Sequence, residues 1–163
     1  MVEKVQSAGG LVYYIDPKDN EVKFLLVKRF ALSKKVERIA PKGKIQKGEM
    51  PQQAAVREIS EETGLKQSEL QIKDALDTLS LQLYNVEGKL GIDKDITYYL
   101  VHYVGDPTAV VISDSEGFLG VHKRATIQDI LSLVMYRDLR ELFRKAYGMI
   151  GKINVRDEFI KNL

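Results

Sequence analysis

The chain has 163 residues, 44% of them hydrophobic and 29% charged, enough for a single globular unit spanning 1–163 with its own core. A net charge of +2 neither demands nor excludes a polyanionic partner, while the absence of cysteine rules out disulfides, thiolate metal sites and a cysteine nucleophile. The opening MVEKVQSAGG lacks an apolar leader core and no run nears the roughly 18 apolar residues of a membrane span, so a cytoplasmic chain without a membrane partner is expected.

In chain order, Val5 to Ile15 reads as a strand, with Gly9 and Gly10 marking a close approach by a backbone or a ligand. Residues 16–21, DPKDNE, form a turn, and Val22 to Phe30 is a second strand, apolar at its centre and basic at its exit through Lys28 and Arg29. Together they predict an antiparallel hairpin. Residues 31–41 are short and mixed in charge, and read as a loop.

Residues 43–65, GKIQKGEMPQQAAVREISEETGL, run from a Gly-rich basic loop into a helix predicted over 51–63, with Pro51 at its first position and Gly64 as a left-handed C-cap. Ala55, Val56 and Ile59 make its apolar stripe, while Glu58, Glu61 and Glu62, at i, i+3 and i+4, share one face. Three like charges so placed repel and call for a cation. Oxygen-only ligands without nearby histidine point to Mg²⁺ or Mn²⁺, and Lys42, Gly43, Lys44, Lys47 and Gly48 suit a phosphate chain.

Beyond the helix, Leu70 to Tyr84 and Ile96 to Val104 predict a second hairpin around the turn at 85–88. Tyr98 and Tyr99 must point to opposite faces, so at most one can meet a ligand on a given face. After a turn at 105–107, residues 108–112 read as a short strand and 113–117 as a polar loop holding Asp114 and Glu116. Thr126 is a candidate N-cap for a helical region (126–163) in which Ile127, Ile130, Leu131, Val134, Leu139, Leu142, Phe143 and Ala146 recur at helical spacing through to Gly148, with a short helix expected at Asn154 to Lys161. Arg137, Arg140, Arg144 and Lys145 read as a solvated basic face, and His102 and His122, lacking ligand spacing, as structural residues.

The stretch from Gly43 resembles the Nudix box, G-x5-E-x7-R-E-U-x-E-E-x-G-U with U apolar: Gly43, Glu49, Arg57, Glu58, Ile59, Glu61, Glu62, Gly64 and Leu65 fill every defined position. The resemblance implies an α+β fold of Nudix type, an α/β/α sandwich around a mixed β-sheet. It also implies a hydrolase whose metal ligands are Glu58, Glu61, Glu62 and the Gly43 carbonyl, with Arg57 and Glu49 holding the cluster and Glu61 or Glu116 as general base.

SAGG and FLLVKR resemble the opening strands of Nudix domains, while AGG, the PKG loop, KDITYYL and MYRDLRELFRKA resemble diadenosine polyphosphate hydrolases and their inositol pyrophosphate relatives, which implies cleavage of phosphoanhydride bonds in dinucleoside polyphosphates such as diadenosine tetraphosphate. Lys42, Lys44, Arg29 and Arg38 would then bind phosphates, and Tyr98 or Tyr99 the base. Two departures stand out: Lys44 follows PKG where many such enzymes have histidine, and Arg38, Ile39 and Ala40 stand where many family members have a tryptophan. The first keeps open a (d)NTP pyrophosphohydrolase of the nucleotide-sanitising type, or an RNA 5′-end pyrophosphohydrolase. The expected partner is a small-molecule nucleotide, with nucleic acid only as a capped or triphosphorylated RNA end, and monomer and homodimer are both compatible.

Overall fold

The computed structural model describes residues 2–31, 34–109 and 118–161. Strands β1 (Glu3–Ile15) and β2 (Val22–Phe30) form the expected hairpin, with Tyr13 opposite Phe24. Its turn is closed by the Asp16 N–H donating to the Glu21 carbonyl at 2.8 Å, and by Asn20 at φ 58°, a residue type that tolerates the left-handed region.

Residues 31–41 are not all loop. Strand β3 (Val36–Ile39) pairs with β2, Arg38 opposite Lys28 and Ile39 opposite Val27. Four residues are too few to raise a periodic signal, yet the alternation is present: Glu37 and Ile39 are buried, Val36 and Arg38 half-buried. Strand β4 (Lys42–Lys44) returns antiparallel to β1, placing Gly43 opposite Ala8.

Helix α1 (Pro51–Thr63) has the predicted bounds. It leads to the long hairpin of β5 (Leu70–Tyr84) and β6 (Leu90–Tyr103), which turns at Gly88, φ 76°. β6 lies parallel to β1 from Glu3 to Tyr13, and this one parallel pairing makes the sheet mixed. The order is β3-β2-β1-β6-β5, with β4 on β1 and β7 (Phe118–Ala125) on β2. The expected strand at 108–112 begins instead as a 3₁₀ turn, Pro107–Ala109, and its remaining residues, like Asp114 and Glu116, lie outside the described residues.

The C-terminal region is two helices, but the break falls after Leu133 rather than after Gly148, and no separate short helix begins at Asn154. α2 (Ile127–Leu133) is capped by Thr126, whose Oγ1 accepts from the Asp129 N–H while the Asp129 side chain accepts from the Thr126 N–H. It ends at Val134, which is extended (ψ 118°), and α3 (Arg137–Lys161) then continues through Gly148 and Gly151. Arg140 explains how the break is tolerated: its Nη1 donates to the Val134 and Met135 carbonyls, both at 2.9 Å, satisfying groups the ended helix leaves open. The basic face is thus only partly solvated, since Lys145 also donates to the Leu76 carbonyl and Asp77.

Helices cover both faces of the sheet. On one, Tyr13, Phe24, Tyr98 and Leu100 pack against Leu139, Phe143 and Ile150 of α3, with Phe24 and Phe143 edge to face at 5.1 Å. On the other, Val12, Leu25, Tyr99 and Val101 pack against Ala54, Ala55 and Ile59 of α1. His102 stacks on Tyr13, with centroids 4.6 Å apart, as a packing residue. Among the described residues no helix is long and apolar enough to cross a membrane.

Candidate active site

The seat of α1 decides where its carboxylates go. Ala54, Ala55 and Ile59 are fully buried while Val56, expected in the stripe, is only partly covered; the buried face is turned slightly toward Ala54. Ile59 fits because Gly10 lies beneath it: a Cβ there would stand 2.6 Å from Ile59 Cδ1. The neighbouring Gly9 likewise admits the Pro41 carbonyl and Lys42, so the glycine pair serves the close approach of this protein's own chain.

With Ile59 inward, Glu62 at i+3 is drawn under the helix and is itself buried, its Oε2 accepting from the Lys42 N–H at 3.1 Å. Glu58 lies against Gly43, where a Cβ would come within 2.0 Å of its Cδ, so only glycine leaves room for the carboxylate. Glu61 stays outward, its side chain 58% exposed.

Arg57 gathers the rest. It forms a two-pronged pair with Glu49 (Nε to Oε2 at 2.7 Å, Nη2 to Oε1 at 2.9 Å), donates from Nη1 to Glu58 Oε1 at 2.7 Å and to Glu61 at 3.3 Å, and donates from Nη2 to the Lys44 carbonyl at 2.9 Å. The Gln46 N–H fixes Glu49 in turn, at 3.0 Å. One guanidinium therefore locks loop, helix and two of the three clustered carboxylates, and it holds the Glu49 carboxyl down at about 2.

Two groups are pushed toward neutrality side by side. Burial, with the Glu58 charge second, raises the Glu62 carboxyl to about 8. Burial, with Lys94 and then Arg29 adding to it, lowers the Lys42 amine to about 8. The acid pair is thus short of positive charge and the base cluster short of negative charge. No three acidic or histidine side chains among the described residues already stand close enough to share a metal ion. The chemistry of the donor set nonetheless fits a hard divalent cation: Glu58 and Glu62 are oxygen donors that repel each other in dry surroundings, beside a backbone that Gly43 brings into contact with Glu58.

Next to this pair a cavity of about 140 Å³ opens on the α3 side of the sheet, bordered by Lys42, Tyr98, Glu37, Tyr136, Leu79 and Leu139, among others. A larger, shallower depression of about 640 Å³ touches Glu49 and Arg57. Neither hollow is lined by Glu58, Glu61 or Glu62, and the small cavity connects to the acid pair through Lys42, whose backbone N–H donates to Glu62.

Of the residues singled out in the sequence, the fold brings together Gly43, Glu49, Arg57, Glu58, Glu61, Glu62 and Lys42, with Arg29 and Tyr98 beside them. Lys44 is 72% exposed and lies 3.7 Å from Glu3. Strand alternation turns Arg38 to the face opposite Glu37, with its Nε buried and unpaired, and Tyr99 is packed under α1. Glu116 lies outside the described residues. Sequence reasoning passed over Lys94, Glu37 and Tyr136. Lys94 shares strand parity with Ile96 and Tyr98 and was readable in principle; Glu37 and Tyr136 depend on β3 and on the α2–α3 break.

A model of the NUDIX domain matches residues 7–145. A Mycobacterium tuberculosis protein named MutT4 is 31% identical over 149 residues, covering 90% of this chain and 56% of that protein, so the chain spans little more than half the relative's length. In three dimensions the chain is similar to a C. elegans Ap4A hydrolase in a binary complex (TM-score 0.71, 25% identity, 91% of this chain and 98% of that one). It is also similar to C. elegans Ap4A hydrolase in a second crystal structure (TM-score 0.68, 27% identity, 92% and 99%). The complete box, the two-sided mixed sheet and the domain match together place this chain in the Nudix family.

Proposed function

We propose that the chain is a metal-dependent hydrolase of phosphoanhydride bonds in nucleoside polyphosphates, acting on dinucleoside polyphosphates such as diadenosine tetraphosphate. The observation that carries this reading is the juxtaposition of an acid pair, half-buried Glu58 and buried Glu62, with a half-buried basic cluster, Lys42, Lys94 and Arg29, along the segment that leads into the Tyr98 cavity. A cation on one side and a polyphosphate on the other would restore the charge that burial suppresses on each. The likeness to the C. elegans Ap4A hydrolase supports the choice of substrate.

Glu58, Glu62, Glu61 and the Gly43 carbonyl would hold Mg²⁺ or Mn²⁺, which when bound neutralises phosphate charge and makes water a stronger nucleophile. Arg57 keeps Glu58 and Glu61 from splaying apart, and Glu49 keeps Arg57 in place. Lys42, Lys94 and Arg29 clamp non-bridging oxygens of the phosphate chain, and Tyr98 borders the place for a base. Glu61, exposed at the end of the cluster, is the described carboxylate best placed to accept a proton from water.

A second reading, a (d)NTP pyrophosphohydrolase, is favoured by Lys44 and by the 31% identity to MutT4. Purified protein with Mg²⁺, assayed on diadenosine tetraphosphate, ATP, dGTP and capped RNA, separates the readings. The expected result is a higher kcat/KM for diadenosine tetraphosphate than for ATP, with ATP and AMP as products and no turnover in chelator. Release of pyrophosphate from a nucleoside triphosphate as the preferred reaction would give the case to the second reading.

A further inference from the structure

We propose that Glu37 reads the base edge of the bound nucleotide and makes the cavity prefer guanine to adenine. The inference rests on the reading of this site as a nucleoside polyphosphate site and refines its substrate class. Glu37 is a carboxylate only 8% exposed, set in the wall of a small cavity whose other lining is largely apolar, including Ile39, Leu79 and Ile96. Burying such a group is costly unless it is hydrogen-bonded, and here the partners are few: the Tyr136 hydroxyl donates to Oε2, and Arg29 Nε stands 3.6 Å from Oε1, beyond good hydrogen-bond range. A carboxylate offers about four acceptor positions. These two contacts use only part of them.

The direction of the preference follows from donor and acceptor chemistry. An ionised carboxylate accepts and cannot donate. Guanine presents two adjacent donors on its Watson–Crick edge, N1–H and the N2 amino group, which match two carboxylate oxygens. Adenine presents one donor, N6, beside the acceptor N1, which would face the second oxygen across two lone pairs. The Tyr98 hydroxyl in the same wall can donate to guanine O6, the single Tyr136 O–H being given to Glu37. A site that leaves a buried polar group unmatched rejects the wrong ligand far more strongly than a merely apolar one does.

The competing view is that Glu37 serves only as a tether, tying the α2–α3 junction to β3 through Tyr136. The substitution that separates the two is Glu37→Gln. Glutamine keeps the shape and an acceptor for Tyr136, but presents a donor beside that acceptor, a pattern that complements adenine. Tyr136→Phe is the companion variant, which removes the tether and leaves the carboxylate.

The experiment measures binding of GMP and AMP by calorimetry, and kcat/KM for diguanosine and diadenosine tetraphosphate with Mg²⁺, in the natural chain and both variants. The expected result is a guanosine preference of about tenfold to a hundredfold, the range for a hydrogen bond to a charged group. Glu37→Gln should abolish or reverse it, and Tyr136→Phe should retain it. Equal affinity for GMP and AMP, or a preference that Glu37→Gln leaves unchanged, overturns the proposal even if both dinucleotides are hydrolysed. Selective GMP binding with no hydrolysis of either dinucleotide would instead sustain it and defeat the hydrolase reading.

Discussion

The contact between Gly10 and Ile59 can be tested by moving a single methyl group across it. A Cβ at position 10 would lie 2.6 Å from Ile59 Cδ1 and 2.9 Å from Val101 Cγ2, both deep in a closed core, so Gly10→Ala should cost about 1–3 kcal/mol by overpacking. Ile59→Val removes Cδ1 itself and, taken alone, should cost about 0.5–1.5 kcal/mol. In the double variant the methyl deleted from residue 59 vacates the space the new Cβ needs. The pair should therefore be more stable than Gly10→Ala alone, with a coupling on the order of 1 kcal/mol. Urea unfolding at constant m measures this from the midpoints. Because α1 also carries Glu58 and Glu62, Gly10→Ala should lower kcat and the double variant recover part of it. Costs that add to within about 0.3–0.5 kcal/mol would refute the argument that Gly10 exists to seat this helix.

Four further outcomes follow, three from the site and one from the α2–α3 break. Glu62→Gln should lower kcat at least about a hundredfold with the fold retained by circular dichroism, since the charge stabilisation a bound metal supplies is worth several kcal/mol. Gly43→Ala forces the Glu58 carboxyl aside, because the new Cβ would lie 2.0 Å from its Cδ; activity should fall more than about tenfold while the melting temperature moves little, the displaced atoms being the end of a flexible side chain. Arg57 holds the Glu49 carboxyl at about 2 against an ordinary 4.5, so the stability from this pair is complete above about pH 4.5 and disappears as pH falls toward 2. Glu49→Gln should therefore remove part of the loss of urea midpoint between pH 5 and 2.5. Arg140→Ala strands the Val134 and Met135 carbonyls and should cost about 1–3 kcal/mol, read by the same unfolding assay.

What could be read beforehand was whatever had a local cause. Pro51 and Gly64 bound α1 because each acts through its own backbone, and β2 and β5 have the predicted limits because turn residues punctuate them. Strand β7 escaped because HKRA ends it with charge and it lies at the sheet's edge, where no apolar run is needed. The α2–α3 break escaped because its apolar residues keep helical spacing through Val134; what permits the extended residue is Arg140, a group from the following helix. The cavity was invisible for the same reason. Tyr98 comes from β6, Glu37 from a four-residue strand and Tyr136 from the break, and no local pattern joins them.

These positions explain why so much of the site passes through residues 37–44. Within that segment Glu37 lines the cavity, Ile39 enters the α3-side core, the Lys42 N–H holds Glu62, Gly43 makes room for Glu58, and the Lys44 carbonyl accepts from Arg57. The backbone between the cavity and the acid pair is therefore held at both ends: β3 is bonded to β2, and β4 is bonded to β1 beside the two glycines. A displacement of β4 by even an ångström would loosen the Lys42 contact to Glu62 and the Arg57 contact at Lys44 together, whereas a change on the α3 side of the cavity reaches only Glu37 and its neighbours. Substitutions on β4 should therefore lower kcat for every substrate alike. Substitution at Glu37 should redistribute kcat/KM among bases, and Tyr136→Phe should keep the base preference, both leaving metal dependence unchanged. Kinetics of Gly43→Ala and Glu37→Gln on one substrate panel, titrated with Mg²⁺, decide this; a uniform loss from Glu37→Gln with a weakened Mg²⁺ response would show that the cavity and the acid pair are one mechanical unit.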